Sequence, residues 1–152
     1  MKRKSRISMR VYLDSNVFVF ASTSEAAIGE KCAKILDWLA KGRIKAVTSS
    51  LTFDELFFKI KKLKGAAAAI LFSENFLALP HLALANVDSA LIGEALNIIK
   101  RHKLAPRDAI HAATARLHNS EVIVSDDKDF AKVKIPKWLS VDEFIKTVAE
   151  NR

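Results

Sequence analysis

Met9-Arg10-Val11-Tyr12-Leu13-Asp14-Ser15-Asn16 is the stretch whose reading decides the fold. Its apolar run is too brief for a helix and is bounded by polar residues, so it reads as a buried strand of a parallel sheet. In open α/β sheets, ligands gather outside the carboxyl ends of the strands. That rule puts Asp14, with Ser15 and Asn16 behind it, where chemistry is usually done. The plainer reading is that Asp14 opens a turn, as Asp and Asn often do. The segments downstream decide between the two.

Residues 25–41 carry Ala26, Cys32, Ile35, Leu36 and Leu39 near helical spacing, and Gly42 follows as a stop. Lys45-Ala46-Val47-Thr48 reads as a second strand. Ser49, Ser50 or Thr52 can cap the next helix, with Asp54 or Glu55 near its first turn and Leu56, Phe57, Ile60 and Leu63 as its buried stripe. Gly65 separates it from an alanine-rich helix, Ala66 to Phe76. The surplus Phe53, Phe58, Phe72 and Phe76 of this hairpin are either core or a partner surface. A third strand lies within His81 to Val87, and Asp88 or Ser89 caps a helix through Leu91, Ala95, Ile98 and Ile99.

Pro106 opens a further helix with a small face of Ala109, Ala112, Ala113 and Ala115. Val122-Ile123-Val124 is a fourth strand, and Trp138-Leu139-Ser140 a short last one before a helix from Val141 to Ala149. Strands alternating with helices predict a three-layer α/β/α sandwich with a mostly parallel central sheet. Residues 9–152 are expected to form a single domain behind a basic leader, residues 1–8, a candidate disordered arm.

The bulk numbers exclude several classes. At 152 residues the chain is about one domain long, and 50% apolar with 28% charged residues is neither disordered nor fibrous. No run reaches the ~18 apolar residues of a membrane helix. The basic opening lacks the apolar segment of a secretory signal, so a cytoplasmic protein without membrane contact is expected. Cys32 is the only cysteine, which excludes an intramolecular disulfide and a cysteine-based zinc site. A net charge of +8 favours a polyanionic partner such as nucleic acid. Lys2, Arg3, Lys4 and Arg6 supply four of those charges, leaving +4 elsewhere, so charge supports that partner only in part.

Four carboxylates stand at strand ends or helix starts: Asp14, Glu55, Asp108 and Asp127. The assembled sheet would bring them to one edge, where they repel unless a cation neutralises them. All-oxygen ligation selects Mg²⁺ or Mn²⁺ over zinc or copper. Asp54 competes with Glu55 on spacing, and Glu55 and Asp108, each taken alone, are equally readable as charges in the first turn of a helix.

The chain resembles the PIN domain, the ribonuclease fold of the toxins in VapBC-type toxin–antitoxin pairs. The resemblance rests on Val11-Tyr12-Leu13-Asp14-Ser15-Asn16, on Thr48-Ser49 through Glu55-Leu56, on Pro106-Arg107-Asp108-Ala109-Ile110-His111-Ala112-Ala113, and on Val124-Ser125-Asp126-Asp127-Lys128-Asp129-Phe130. These four motifs span residues 9–130 in the expected order. The resemblance implies that Asp14, Glu55, Asp108 and Asp127 hold Mg²⁺ or Mn²⁺, with Ser15, Asn16 and Ser125 in support. Asp127 matches the family pattern three residues before Phe130, and Asp126 and Asp129 are second choices. It also implies a small antitoxin, for which the Phe-rich hairpin is a natural groove, and a homodimer.

Metal-dependent hydrolysis of single-stranded RNA is the function this implies, with Arg107, Lys128, Lys59, Lys61, Lys62 and Lys64 as candidates for the RNA backbone. His111, three residues after Asp108, is within reach of it across one turn and is expected to be structural. Two rivals remain. A catalytically silent binding module needs no convergent carboxylates. A haloacid-dehalogenase-type phosphohydrolase wants a second Asp two residues after Asp14, where this chain has Asn16.

Overall fold

The computed structural model describes residues 9–151, so the expectation for the basic leader, residues 1–8, lies outside the described residues. Five strands, β1 (Arg10–Leu13), β2 (Lys45–Ser49), β3 (Leu82–Ala85), β4 (Val122–Val124) and β5 (Lys137–Leu139), form one sheet in the order β3-β2-β1-β4-β5. Every neighbouring pair is parallel. The helices are α1 (Ser15–Thr23), α2 (Ala27–Ala40), α3 (Leu51–Lys64), α4 (Ala66–Leu77), α5 (Ser89–His102), α6 (Pro106–Leu117) and α7 (Val141–Glu150).

Two hydrophobic clusters divide the helices between the faces of the sheet. Val11 and Leu13 of β1 pack with buried residues of α1, α2, α3, α4 and α7, whereas Tyr12 packs with α5 and α6. Alternation along a strand explains the split, because successive side chains point to opposite faces. The expected three-layer sandwich is thus formed, with all of its strand pairs parallel.

Three local expectations are corrected. Residues 15–23 form α1, which the sequence reading passed over; its N-cap is Asp14, whose carboxylate accepts the Ser15 N–H. Leu63 was expected in the buried stripe of α3 and is instead exposed, leaving Leu56 and Ile60 as the anchors of that helix. The hairpin phenylalanines divide: Phe76 is core, in edge-to-face contact with Phe18 at 5.0 Å, while Phe53 and Phe58 are exposed, Phe58 by 64%. Gly65, at φ 92, makes the turn between α3 and α4, a backbone region that residues with a Cβ seldom enter.

β1 lies at the centre of the sheet, with β2 on one side and β4 on the other. The direction of strand order therefore reverses between β1 and β4, and a crevice opens there at the carboxyl ends. The chain leaves β1 into Asp14 and leaves β4 into Ser125.

Candidate active site at the carboxyl edge of the sheet

Asp14 is only 5% exposed, and each of its carboxylate oxygens has a partner. Its backbone N–H continues the ladder to the Val124 carbonyl at 3.1 Å. Oδ1 accepts the Ser15 N–H at 2.8 Å, and Oδ2 accepts the Ser125 hydroxyl at 2.6 Å. Ser125 Oγ in turn accepts the Asn16 amide at 3.1 Å and the Asp127 N–H at 3.0 Å. Its one proton and both lone pairs are then used. Asn16 Oδ1 accepts the Asp126 N–H at 3.3 Å. Of the three polar residues expected as supports, Asn16 and Ser125 thus tie the segment after β1 to the loop after β4, while Ser15 holds Asp14 through its N–H.

Asp127 follows as the N-cap of a 3₁₀ turn, Lys128–Lys132, and accepts the Asp129 N–H at 2.9 Å. Asp108 stands in the first turn of α6. Asp108, Asp127 and Asp129 each offer a carboxylate oxygen, all within 4.8 Å of one another. Burial and then the charges of Asp127 and Asp14 push the Asp108 carboxyl up to about 6. Asp126 is exposed, and its charge acts on Cys32, whose thiol is pushed up to about 12, mainly by burial. Of the two second choices, Asp129 belongs with the cluster and Asp126 does not.

The structure also separates Asp54 from Glu55. Asp54 is exposed, whereas Glu55 accepts the Ser15 hydroxyl through Oε2 at 3.2 Å and is hydrogen-bonded through Oε1 to His111 Nε2. Burial opposes its ionisation. The His111 hydrogen bond and charge, with smaller help from Ser15 and Lys59, nonetheless hold Glu55 below the ordinary glutamate range.

His111 is fully buried and does not reach Asp108 as its i,i+3 spacing suggested. It bridges instead: Nε2 faces Glu55 and lies 3.5 Å from Asp14 Oδ1, while Nδ1 lies 2.6 Å from the Tyr12 hydroxyl. The strand pattern marks Tyr12 only as a strand residue. The signal was available, since a tyrosine in a fully buried strand needs a partner for its hydroxyl.

The acids therefore form two groups: Asp108, Asp127 and Asp129, and the pair Asp14 and Glu55 joined through His111. Asp14 raises the Asp108 carboxyl, so the groups are electrostatic neighbours. An all-oxygen donor set whose members repel one another suits a hard divalent cation of the Mg²⁺ or Mn²⁺ type, and the residues present fit such an ion. Helix N-termini beneath Asp14 and Asp108 offset part of the like charge.

Around this edge Arg107 and Lys128 are exposed, next in the chain to Asp108 and Asp127. Lys59 is near enough to Glu55 to favour its charged form. Lys62 lies nearly a turn farther along α3, and Lys64 at the end of that helix donates to the Ser22 carbonyl at 3.2 Å. The ion pairs among the described residues do not include Arg107. Among those residues, no helix is long and apolar enough to cross a membrane.

Comparison with known proteins gives a family and a fold. The family model described as the PIN domain matches residues 11–136. No curated protein matches the chain in sequence. Among solved structures, the chain is similar to VapC20 of Mycobacterium tuberculosis, described as a Sarcin-Ricin loop cleaving toxin, with 16% identity and a TM-score of 0.69 over 82% of this chain and 95% of the other. VapBC2 from Rickettsia felis, solved on a DNA fragment from its promoter, has 20% identity and a TM-score of 0.66, covering 87% and 98%. DNA-bound VapBC from Salmonella typhimurium has 17% identity and a TM-score of 0.67, covering 88% and 98%. At such identities the likeness is one of fold.

Proposed function

The chain belongs to the PIN domain family, and from that premise we propose that it is a divalent-metal-dependent endoribonuclease acting on single-stranded RNA, the toxin half of a toxin–antitoxin pair. One observation carries the reading. Asp14, Glu55, Asp108, Asp127 and Asp129 gather at the switch point of a parallel sheet, with Asp108 pushed up to about 6 by burial and its neighbours' charges. A protein that only binds RNA has no use for such mutually repelling acids.

Asp108, Asp127 and Asp129 would hold the cation, with Asp14 and Glu55 completing its surroundings. When bound, Mg²⁺ or Mn²⁺ supplies charge stabilisation for the phosphodiester as negative charge develops on its oxygens. The chain's own residues do the rest. Ser125, Asn16 and Ser15 fix the Asp14 carboxylate, so no reorganisation is needed when substrate arrives. Arg107, Lys128 and Lys59, with Lys62 at greater distance, would face the phosphate backbone and orient it.

The partner readings rest on the apolar surface of the α3–α4 hairpin. Phe53, Phe58, Leu63, Ile70, Leu71 and Leu77 are exposed there. A cleft of about 100 Å³ beside it is lined by Phe18, Leu36, Leu56, Phe72 and Phe76. An antitoxin helix would lay its apolar face into such a groove, and a second copy of this chain would cover the remaining apolar surface. The relatives solved as VapBC complexes with DNA support an antitoxin partner.

The test is cleavage of a panel of single-stranded RNAs by the purified protein with Mg²⁺, with Mn²⁺ and with chelator, beside Asp14→Asn and Asp108→Asn. Cleavage that needs metal and vanishes in both folded variants is expected. Undiminished cleavage by Asp14→Asn would remove Asp14 from the mechanism. Absence of cleavage under every condition would favour the binding-module reading.

A further inference from the structure

Tyr12 and His111 lie beneath the acids, and neither is among the residues assigned above to hold metal or RNA. The Tyr12 hydroxyl accepts the Ser49 N–H at 3.1 Å. Burial, reinforced by the Asp14 charge, pushes this phenol well above the ordinary tyrosine range, so it keeps its proton. Its second contact is His111 Nδ1 at 2.6 Å. The phenol donates to a neutral imidazole or accepts from a charged one, and in either case the ring's proton at Nε2 faces Glu55. That same N–H lies 3.5 Å from Asp14 Oδ1.

A histidine needed only to satisfy the Tyr12 hydroxyl would use one nitrogen. Here the other nitrogen stands between two carboxylates from different elements, one after β1 and one on α3. The connection runs from the β2 backbone at Ser49 through β1 to α6 and on to α3, so each of these elements is tied to the site by a buried polar contact. Ser15 completes the restraint on Glu55 from the other oxygen.

We propose that Tyr12 and His111 are positioning residues for the acidic site: the phenol fixes the imidazole, and the imidazole N–H sets the Glu55 and Asp14 carboxylates at the separation that a divalent cation requires. The proposal rests on the metal-site reading above. Groups hydrogen-bonded behind metal ligands orient them, and losing one commonly weakens metal binding about 10–100-fold.

The experiment measures Mn²⁺ affinity calorimetrically for the full chain and for Tyr12→Phe, His111→Leu and His111→Gln, at a temperature where circular dichroism shows each to be folded. His111→Leu is expected to bind Mn²⁺ about 10–100-fold more weakly. His111→Gln keeps an N–H near the position of Nε2 and is expected to recover most of that loss. Tyr12→Phe, which leaves the ring in place without its anchor, is expected to fall between them. A purely structural role lowers the melting temperature of these variants but leaves the affinity of the folded protein unchanged, and that result overturns the proposal. If His111→Leu does not fold, unchanged affinity in both other variants overturns it equally.

RNA cleavage is assayed in parallel. Wild-type protein that binds Mn²⁺ but cleaves no RNA, with the variants weakened as expected, would sink the nuclease reading and support this one. Metal-dependent cleavage with unmoved affinities would do the reverse. A wild-type protein that binds no Mn²⁺ overturns both.

Discussion

Asp108 carries the plainest pH signature of the site. Its carboxyl is pushed up to about 6 by burial, then by Asp127 and Asp14, with His111 acting against them. The folded chain therefore holds this proton more tightly than the unfolded one, where a carboxyl titrates near ~3.9. Its contribution to stability is full below that value and is lost as pH rises through about 6. His111 has the same sign: burial opposes its charge, but Glu55 and Asp14 raise it, so its contribution is lost as pH rises through its folded value. Glu55 is lowered, and its contribution disappears only in acid. Metal-free protein is thus expected to melt at a lower temperature at pH 8 than at pH 5.5, with Mn²⁺ narrowing the gap. A flat profile in chelator would contradict the electrostatic account. Calorimetry in buffers of different ionisation enthalpy should show more proton release on Mn²⁺ binding near pH 6 than at pH 8. Asp108→Asn removes the repulsion, so it should raise the melting temperature of metal-free protein at pH 8 while abolishing cleavage, the usual trade between stability and function. Spacing in the sequence could not separate Glu55 from Asp54, because both sit near the start of α3. The folded chain distinguishes them: Asp54 is exposed, while Glu55 meets the Ser15 hydroxyl and His111 of α6, 56 residues away.

Among the elements, α6 is the one whose packing sets the site, since it carries Asp108 and His111 one turn apart. Ala109, Ala112, Ala113 and Ala115 are all fully buried, so the helix lies close against its neighbours with no spare volume. Ala113→Leu is expected to cost about 1–3 kcal/mol through overpacking. The displaced helix should also lose Mn²⁺ affinity in protein that remains folded. Urea denaturation beside metal titration checks this; a stability loss with the site unmoved would show that α6 accommodates the change by local repacking. The small face of α6 was legible because alanines at helical spacing have one physical meaning. α1 was not, because Val17, Phe18, Val19 and Phe20 are the β-branched and aromatic residues that strands favour. Asp14 starts that helix with a cap, and burial of Val17, Phe18 and Val19 outweighs their modest helix propensity. A residue prized for its chemistry thus also begins an element, and the sequence displays the two roles in the same letter. Leu63 is the converse: helical spacing places it on the stripe, but it is exposed where Leu56 and Ile60 are buried.

Over the whole molecule, an acidic site sits in a basic chain, so the RNA substrate proposed above would have to be drawn in despite the local negative charge. Four of the eight excess positive charges belong to residues 2–6, outside the described structure, so the described body has to do much of this by placement. Lys59 is one turn from Glu55, and Arg107 and Lys128 adjoin Asp108 and Asp127. Lys64, nine residues past Glu55 along α3, is about 13 Å away at the helical rise and is engaged by the Ser22 carbonyl. If RNA crosses the acidic edge, its binding to an Asp14→Asn background should weaken linearly in log salt, by about 0.7 in slope for each phosphate neutralised on a single strand. Lys59→Ala, Arg107→Ala and Lys128→Ala should each lower that slope by about 0.7–1 without regard to sequence. Lys64→Ala should leave it unchanged. Equal slope losses for Lys64→Ala and Lys59→Ala would mean that the strand runs along the hairpin instead of over the acids. The apolar surface of that hairpin would then serve RNA bases as well as a protein partner, and the separation of substrate edge from partner groove would fail.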